Sequence, residues 1–176
     1  MTVYRLAEDT YLVLNYIDGL ELSGKKVLDI GTGNGEIALK AAEKDAEVTA
    51  VDINPEALEY AQGKAEERGL QDRITFLESD LFEKVKGKFD LVVFNPPYLP
   101  GEKGLGDEEI WRGGKTGLEV SRRFLDGVGD FLLEDGYALL VASSLSGYGE
   151  LVDGYGLSEV DSEELWFERL SLLKFG

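Results

Sequence analysis

A chain of 176 residues with 43% apolar and 10% aromatic residues has the bulk for one domain with a packed core, and no apolar run approaches membrane-spanning length. With neither His nor Cys, the chain cannot hold a disulfide, a thiolate nucleophile, a Cys- or His-ligated metal or a Ser-His triad, so chemistry falls to carboxylates, amides, hydroxyls, backbone groups or a cofactor. A net charge of −17 argues against a broad nucleic-acid surface, which local clusters at Lys25-Lys26, Arg112 to Lys115 and Arg122-Arg123 soften without reversing.

Residues 1–5 lack the charged-then-apolar pattern of a signal peptide, so a cytoplasmic protein is expected. Few Asn, Gln and Met beside many Glu and Lys resemble a thermophile's composition. Gly/Pro punctuation and charge give no domain boundary, so residues 1–176 read as a single domain. Helix-like and strand-like segments alternate throughout, the pattern of an α/β fold with one mostly parallel sheet and helices on both faces.

In chain order, Asp9 or Thr10 caps an opening helix with Val13, Ile17 and Leu20 on one face. A strand over 26–30 passes into the loop Gly31-Thr32-Gly33-Asn34-Gly35 and a helix over 36–44. A second strand, 47–51, ends on Asp52. Asn54 and Pro55 then open a helix to Arg68 that stops at Gly69. A third strand over 73–77 leads to Ser79-Asp80-Leu81, and a fourth over 90–94 ends in Asn95-Pro96-Pro97-Tyr98. Residues 99–116 are glycine-rich and aperiodic, and a loop of that length in a compact domain is usually functional. A helix with Leu118, Phe124, Leu125, Val128 and Phe131 inward follows, then a strand over 137–142 and a short helix over 148–155. Strands over 158–161 and 167–175, joined by a turn at 162–164, would form a C-terminal antiparallel hairpin and bring the sheet to seven strands.

Two features carry chemistry. In the first, glycines spaced by two carry a strand into a helix, so backbone can approach a ligand and free N–H groups face it. Asp52 lies 21 residues beyond Gly31 at the second strand's end, where an acid can accept from a ribose diol, and Asp80 ends the third strand, placed for an adenine amino group. A single Asp after a strand is more often a turn former or cap, but three acids at successive strand ends converge on one crevice. A dinucleotide fingerprint has its third glycine one residue later, and Asp29 would face a pyrophosphate unfavourably while suiting a cationic amino group. S-adenosylmethionine fits this arrangement better.

The second feature is Asn95 to Tyr98. Two prolines end the strand abruptly and leave a rigid shelf with one amide, one exposed carbonyl and one aromatic face, suited to a planar, weakly nucleophilic NH2. Alone, it could be a plain strand-ending turn.

Together, Asp29-x-Gly31-x-Gly33-x-Gly35, Val51-Asp52, Ser79-Asp80-Leu81 and Asn95-Pro96-Pro97-Tyr98 resemble the Rossmann-like class I S-adenosylmethionine-dependent methyltransferases that modify planar nitrogens. Residues 3–10 and Trp111-x-Gly113-Gly114-x-x-Gly117 are similar to the short HemK-like branch of archaea and eukaryotes, which methylates the glutamine (N5) of the Gly-Gly-Gln motif in class I translation termination factors. Leu6 departs from that branch, which has proline there. With 25 residues before the first strand, no N-terminal docking domain of the bacterial kind is expected. The resemblance implies that Thr10, Asp29, Gly31, Gly33, Asp52, Asp80, Leu81 and Asn95 contact or line the donor site. It also implies that Asn95 Oδ1 and the Pro96 carbonyl accept from the target NH2 while Tyr98 packs on the amide plane. A small zinc-binding activator is implied as a partner, with an edge strand such as 73–77 as its pairing site.

Two alternatives remain: an adenine-N6 methyltransferase on DNA or RNA, disfavoured by the charge and the lack of a target-recognition domain, and a non-catalytic S-adenosylmethionine-binding subunit, which would not need the shelf. Trp111 reads also as a plug onto the core and Glu8 and Asp9 as complements to a helix dipole. Arg112, Lys115, Arg122 and Arg123 read as a solvated face.

Overall fold

The computed structural model describes residues 8–97 and 118–176, and Tyr98, Trp111, Arg112 and Lys115 lie outside them. The elements run α1 (Glu8–Asp18), β1 (Lys26–Ile30), α2 (Glu36–Glu43), β2 (Glu47–Asp52), α3 (Pro55–Glu67), β3 (Ile74–Glu78), β4 (Phe89–Phe94), α4 (Glu119–Val128), β5 (Leu132–Ser143), α5 (Gly149–Tyr155), β6 (Ser158–Glu164) and β7 (Arg169–Phe175). The strands form one seven-stranded sheet in the order β3-β2-β1-β4-β5-β7-β6. The first five are parallel, and β7 runs antiparallel to both β5 and β6. The fold expected from the sequence is the one observed.

The period-two alternation of the strands sorts their side chains into two apolar layers. Val27, Val48, Ala50, Leu91, Val93, Leu139 and Leu172 point to the layer built with Leu12, Val13 and Ile17 of α1 and with Ile37, Leu39 and Ala41 of α2. Their neighbours Leu28, Ile30, Val51, Val92, Phe94, Leu140 and Leu173 point to the opposite layer, closed by Phe124, Leu125 and Val128 of α4 and Leu151 of α5. Both faces of the central strands are therefore dry, which is why β4 reads Phe-Asp-Leu-Val-Val-Phe rather than as an alternation. Among the described residues no helix is long and apolar enough to cross a membrane.

Two boundaries differ from the sequence expectation, each for a physical reason. Strand β5 begins at Leu132 rather than at residue 137, because Glu134-Asp135-Gly136 continues the strand. A Cβ at Gly136 would stand 2.6 Å from the Phe89 carbonyl oxygen, so only glycine lets the two strands close at that point, where their register also shifts. The C-terminal hairpin turns at 165–168, not at 162–164. Ser162, Glu163 and Glu164 pair with Ser171, Leu170 and Arg169, and Leu165 N–H donates to the Glu168 carbonyl at 2.7 Å to close the turn. Arg169 holds the longer register by bonding Glu159 at 2.6 Å and also Glu164.

Candidate functional site

The site is a crevice at the carboxyl ends of β1, β2, β3 and β4, on both sides of the point where chain order in the sheet reverses from β1 to β4, the usual ligand position in open parallel sheets. Strand β1 delivers Asp29, buried to 0% exposure between Ala50 of β2 and Val93 of β4. Thr32, three residues on across the glycine turn, donates its hydroxyl to Asp29 Oδ2 at 2.6 Å. Asp29 Oδ1 has no hydrogen-bond partner among the described residues. Burial, only partly offset by the Thr32 hydroxyl and the Ala38 backbone N–H and reinforced by the charge of Asp52, pushes the Asp29 carboxyl up to about 7.

The loop after β1 is held open by its backbone. Gly31, Gly33 and Gly35 all take left-handed φ values, and Thr32 N–H donates to the Val51 carbonyl at 2.8 Å, tying the loop to β2. Gly35 is required by packing as well: a Cβ there would lie 2.7 Å from Cβ of Ala61 in α3. The third glycine of the motif thus seats the loop on α3. Lys64 of the same helix donates to the Asn34 carbonyl at 2.9 Å and pairs with Glu36.

Asp52 ends β2 with both oxygens engaged: Oδ2 accepts from Gly33 N–H and Oδ1 from Asn54 N–H, each at 2.9 Å. Its carboxyl is raised above the usual range by burial, against the pull of these backbone donors. The bonds lock the carboxylate against the glycine loop and leave each oxygen a further lone pair. Asn54 caps α3 through its side chain, which accepts from Glu56 N–H at 3.0 Å.

After β3, the Ser79 hydroxyl accepts from Lys84 N–H at 2.9 Å, and Ser79 N–H donates to the Asp52 carbonyl at 3.0 Å, so the two strand ends are stitched together. Asp80 is half-exposed and pairs with Arg123 of α4 at 2.8 Å. Leu81 adopts a φ of 47°, a left-handed conformation uncommon for a leucine and a form of backbone strain that concentrates at binding sites.

Strand β4 brings Asn95 to the level of Gly31, since Phe94 pairs with Ile30. Asn95 Oδ1 is buried and has no partner among the described residues, Pro96 is buried and Pro97 exposed. Phe94 supports the shelf from below, its ring 4.9 Å from that of Phe124, and its edge would touch a Cβ at Gly31 at 3.3 Å.

Asp29, Gly31, Gly33, Asp52 and Asn95 therefore share one crevice, with Asp80 and Leu81 on the loop that Ser79 ties to its edge. Thr10 sits in the first turn of α1, buried, with hydrogen bonds to Asp9 rather than to the glycine loop. Asp9 is itself 1% exposed and so is more than a dipole complement. Sequence reasoning missed three supporting residues. Thr32 was visible as a hydroxyl three positions from a buried acid, whereas Arg123, read as a solvated cation, and Ala61 carry no local signal because their roles depend on tertiary contact.

Residues 5–160 match the family model described as the methyltransferase small domain. The chain is 40% identical over 159 residues to a Methanocaldococcus jannaschii protein named as an N5-glutamine methyltransferase, covering 86% of this chain and 77% of that one. It is 35% identical over 192 residues to Homo sapiens methyltransferase HEMK2, covering 98% and 89%. Its fold superposes with a TM-score of 0.76 and 29% identity on the E. cuniculi Mtq2-Trm112 complex, responsible for methylation of the termination factor eRF1, over 97% of this chain and 96% of that one. The crevice, the sheet order and these likenesses agree, and the chain belongs to the methyltransferase small domain family, among the class I methyltransferases that include the protein N5-glutamine methyltransferases.

Proposed function

We propose that the protein transfers a methyl group from S-adenosylmethionine to the side-chain amide nitrogen of the Gly-Gly-Gln glutamine in a class I translation termination factor. The observation that carries this reading is a pair of buried oxygens without hydrogen-bond partners among the described residues, Asp29 Oδ1 and Asn95 Oδ1, at the ends of adjacent strands. Buried acceptors are rarely left unpaired, so two of them at the carboxyl ends of adjacent strands suit a ligand that brings N–H donors to both. A cationic amino group suits a carboxylate, and an amide NH2 suits a neutral amide oxygen.

The donor fits the residues present. Asp29 takes the amino group, Gly31 and Gly33 leave room for close approach, Asp52 takes the ribose hydroxyls on its remaining lone pairs, and Asp80 takes the adenine amino group with Leu81 beside it. Thr10 lines the pocket from α1. Bound there, S-adenosylmethionine supplies an activated methyl on a sulfonium.

The chain's own task is to make a poor nucleophile competent. The lone pair of an amide nitrogen is delocalised into its carbonyl. Asn95 Oδ1 and the Pro96 carbonyl accept the two N–H bonds and favour the localised, tetrahedral nitrogen, and the Pro96-Pro97 backbone holds those acceptors in place before the reaction. The resemblance assigns Tyr98 the role of packing against the amide plane. No histidine base is needed, because the acceptors stabilise developing charge on N–H without removing the proton before transfer.

The reading includes a small zinc-binding partner paired to β3, which lies at the sheet's edge with Phe76 and Leu77 only half-buried. It places the protein with the translation machinery in the cytoplasm, as one catalytic domain over residues 1–176. The test is to incubate the protein, with and without such a partner, with a termination factor and labelled S-adenosylmethionine and to map the modified residue by mass spectrometry. Label on the Gly-Gly-Gln glutamine is expected, and label on an adenine-containing oligonucleotide with none on that glutamine would overturn the reading.

A further inference from the structure

The tip of the β6–β7 hairpin presents two aromatic side chains to solvent, Trp166 at 98% exposure and Phe167 at 71%. Nothing about the hairpin beneath them is loose. Arg169 bonds Glu159 and Glu164, Ser171 donates to Glu159 at 2.6 Å, and Tyr148 meets Ser171 at 2.6 Å. Arg169 N–H donates to Ser144 at 3.0 Å, and the Ser143 hydroxyl donates to Glu168. Ser171 and Arg169 together hold the Glu159 carboxyl below its usual range. An unanchored tip could fold its aromatics back onto apolar surface, whereas this one is fastened to the end of β5 and cannot.

The tip also stands at the reactive end of the sheet. Phe94 pairs with Leu140, Leu140 with Leu173, and β7 runs back so that its first residue, Arg169, lies beyond the level of Asn95. By strand geometry Arg169 rises about 10 Å above the shelf with the tip beyond it, and β7 and β6 lie two and three strand spacings, about 10 and 14 Å, to the side of β4. A macromolecule large enough to present a loop to Asn95 would meet it.

Between Ser158 and Glu168 the chain carries five acids and no base. Arg169 engages Glu159 and Glu164, and Asp161 and Glu163 have no cationic partner among the described residues. Two uncovered aromatics flanked by unneutralised carboxylates fit a basic polypeptide, with an Arg or Lys able to lie on the Trp166 ring while its charge faces the acids. The same carboxylates repel a nucleic acid backbone.

We propose that the Trp166-Phe167 tip, with Asp161 and Glu163, is a docking surface for a basic segment of the protein substrate that flanks the methyl-accepting glutamine. This rests on the amide-methylation reading and adds a second point of contact to it. The tip would contribute to recognition of the whole substrate and not to the chemistry at Asn95.

The experiment compares the wild type with Trp166→Ser/Phe167→Ser and with Asp161→Asn/Glu163→Gln on two substrates, a whole class I termination factor and a short peptide containing only Gly-Gly-Gln and its neighbours. KM for the whole factor is expected to rise about tenfold in the aromatic variant and by a smaller factor in the charge variant, with kcat, donor affinity and peptide turnover within about twofold of wild type. An unchanged KM on the whole factor, or an equal loss on the peptide, overturns docking. Loss of a small activating partner by the tip variants, with KM restored at excess partner, also overturns it by assigning the tip to that partner. Absence of wild-type methylation of the factor overturns the amide reading instead. In that case the emission of Trp166 in a Trp111→Phe background decides docking separately: a blue shift on adding the factor supports it, and an unshifted spectrum overturns it.

Discussion

The crevice at the ends of β1 and β4 and the tip of the β6–β7 hairpin fail to satisfy their groups in opposite ways. In the crevice two buried polar atoms, Asp29 Oδ1 and Asn95 Oδ1, lack hydrogen-bond partners among the described residues. At the hairpin Arg169, Glu159, Glu164 and Ser171 are tied together and two aromatic side chains are left exposed. The first pattern is what a small polar ligand leaves behind when its donors are absent; the second is what a large partner covers. On the two proposals above, a site for chemistry and a site for recognition would differ in which kind of group is left unpaired.

The largest effect that would break this comparison lies at the shelf. Asn95→Ala removes an acceptor whose value is realised as the amide nitrogen becomes tetrahedral. Turnover should fall by about 10²–10³ while donor affinity stays within a few-fold. Steady-state kinetics paired with donor titration calorimetry measures both. If the two fall together, Asn95 mainly holds the donor and the unpaired oxygen has another explanation.

Next in size is the pH dependence of Asp29. Its carboxyl is raised from 3.8 to about 7 in the folded protein. The folded state therefore holds this proton more tightly than the unfolded chain. The contribution to folding is fully present below the unfolded value and is lost as pH rises through about 7. Donor binding has the opposite sign, since a cationic amino group pairs only with the ionised form. Affinity should fall by roughly tenfold per pH unit below about 7 and level off above it. Asp29→Asn should weaken binding and flatten that profile, and a wild-type affinity that is level across this range would remove Asp29 from the donor's amino group.

Gly35 tests the scaffold instead of the chemistry. Alanine there must adopt a φ of 80° and place its Cβ 2.7 Å from Cβ of Ala61. The combined strain and overlap should cost about 2–3 kcal/mol in chemical denaturation. In an Ala61→Gly background, which itself costs about 1 kcal/mol in the interior of α3, the overlap is removed and Gly35→Ala should cost only roughly 1 kcal/mol more for the backbone conformation. No further loss in that background would mean that φ costs nothing there.

These three sites also show how far the sequence could be read. The glycine loop, Asp52 at the end of β2 and the Asn95-Pro96-Pro97 shelf were legible because each is set by local backbone chemistry: a positive φ, a strand end, a missing N–H. Strands β1, β2 and β4 were legible because both of their faces are largely buried, leaving apolar runs, and β3 because its short apolar run lies between polar ends. The hairpin was misread by three residues. Its strand β6, Ser-Glu-Val-Asp-Ser-Glu-Glu, is an acidic edge with little burial to mark it, and its register is held by Arg169, which acts across strands. Phe167 was assigned to a strand because aromatics favour strands, whereas it stands at the tip. Arg123 was unreadable for the same reason as Arg169: its partner Asp80 is 43 positions away.

That pair gives the smallest expected effect. Arg123 and Asp80 meet at 2.8 Å with side chains 53% and 35% exposed, so solvent screens the attraction and its loss should change stability by less than about 1 kcal/mol. The bond uses Oδ2 of Asp80; on the proposed donor placement Oδ1 would take the adenine amino group and Arg123 would act by fixing the carboxylate's orientation. Arg123→Ala should raise the donor's dissociation constant by a factor of about 2–5, with kcat unchanged, and the difference from wild type should shrink as salt is raised. Arg123→Lys should recover only part of the loss, because a single ammonium fixes the carboxylate less well than a planar guanidinium. Tighter donor binding in the alanine variant would mean that Arg123 competes with the adenine for Asp80, and the arginine would then be a gate on the donor pocket and not a support for it.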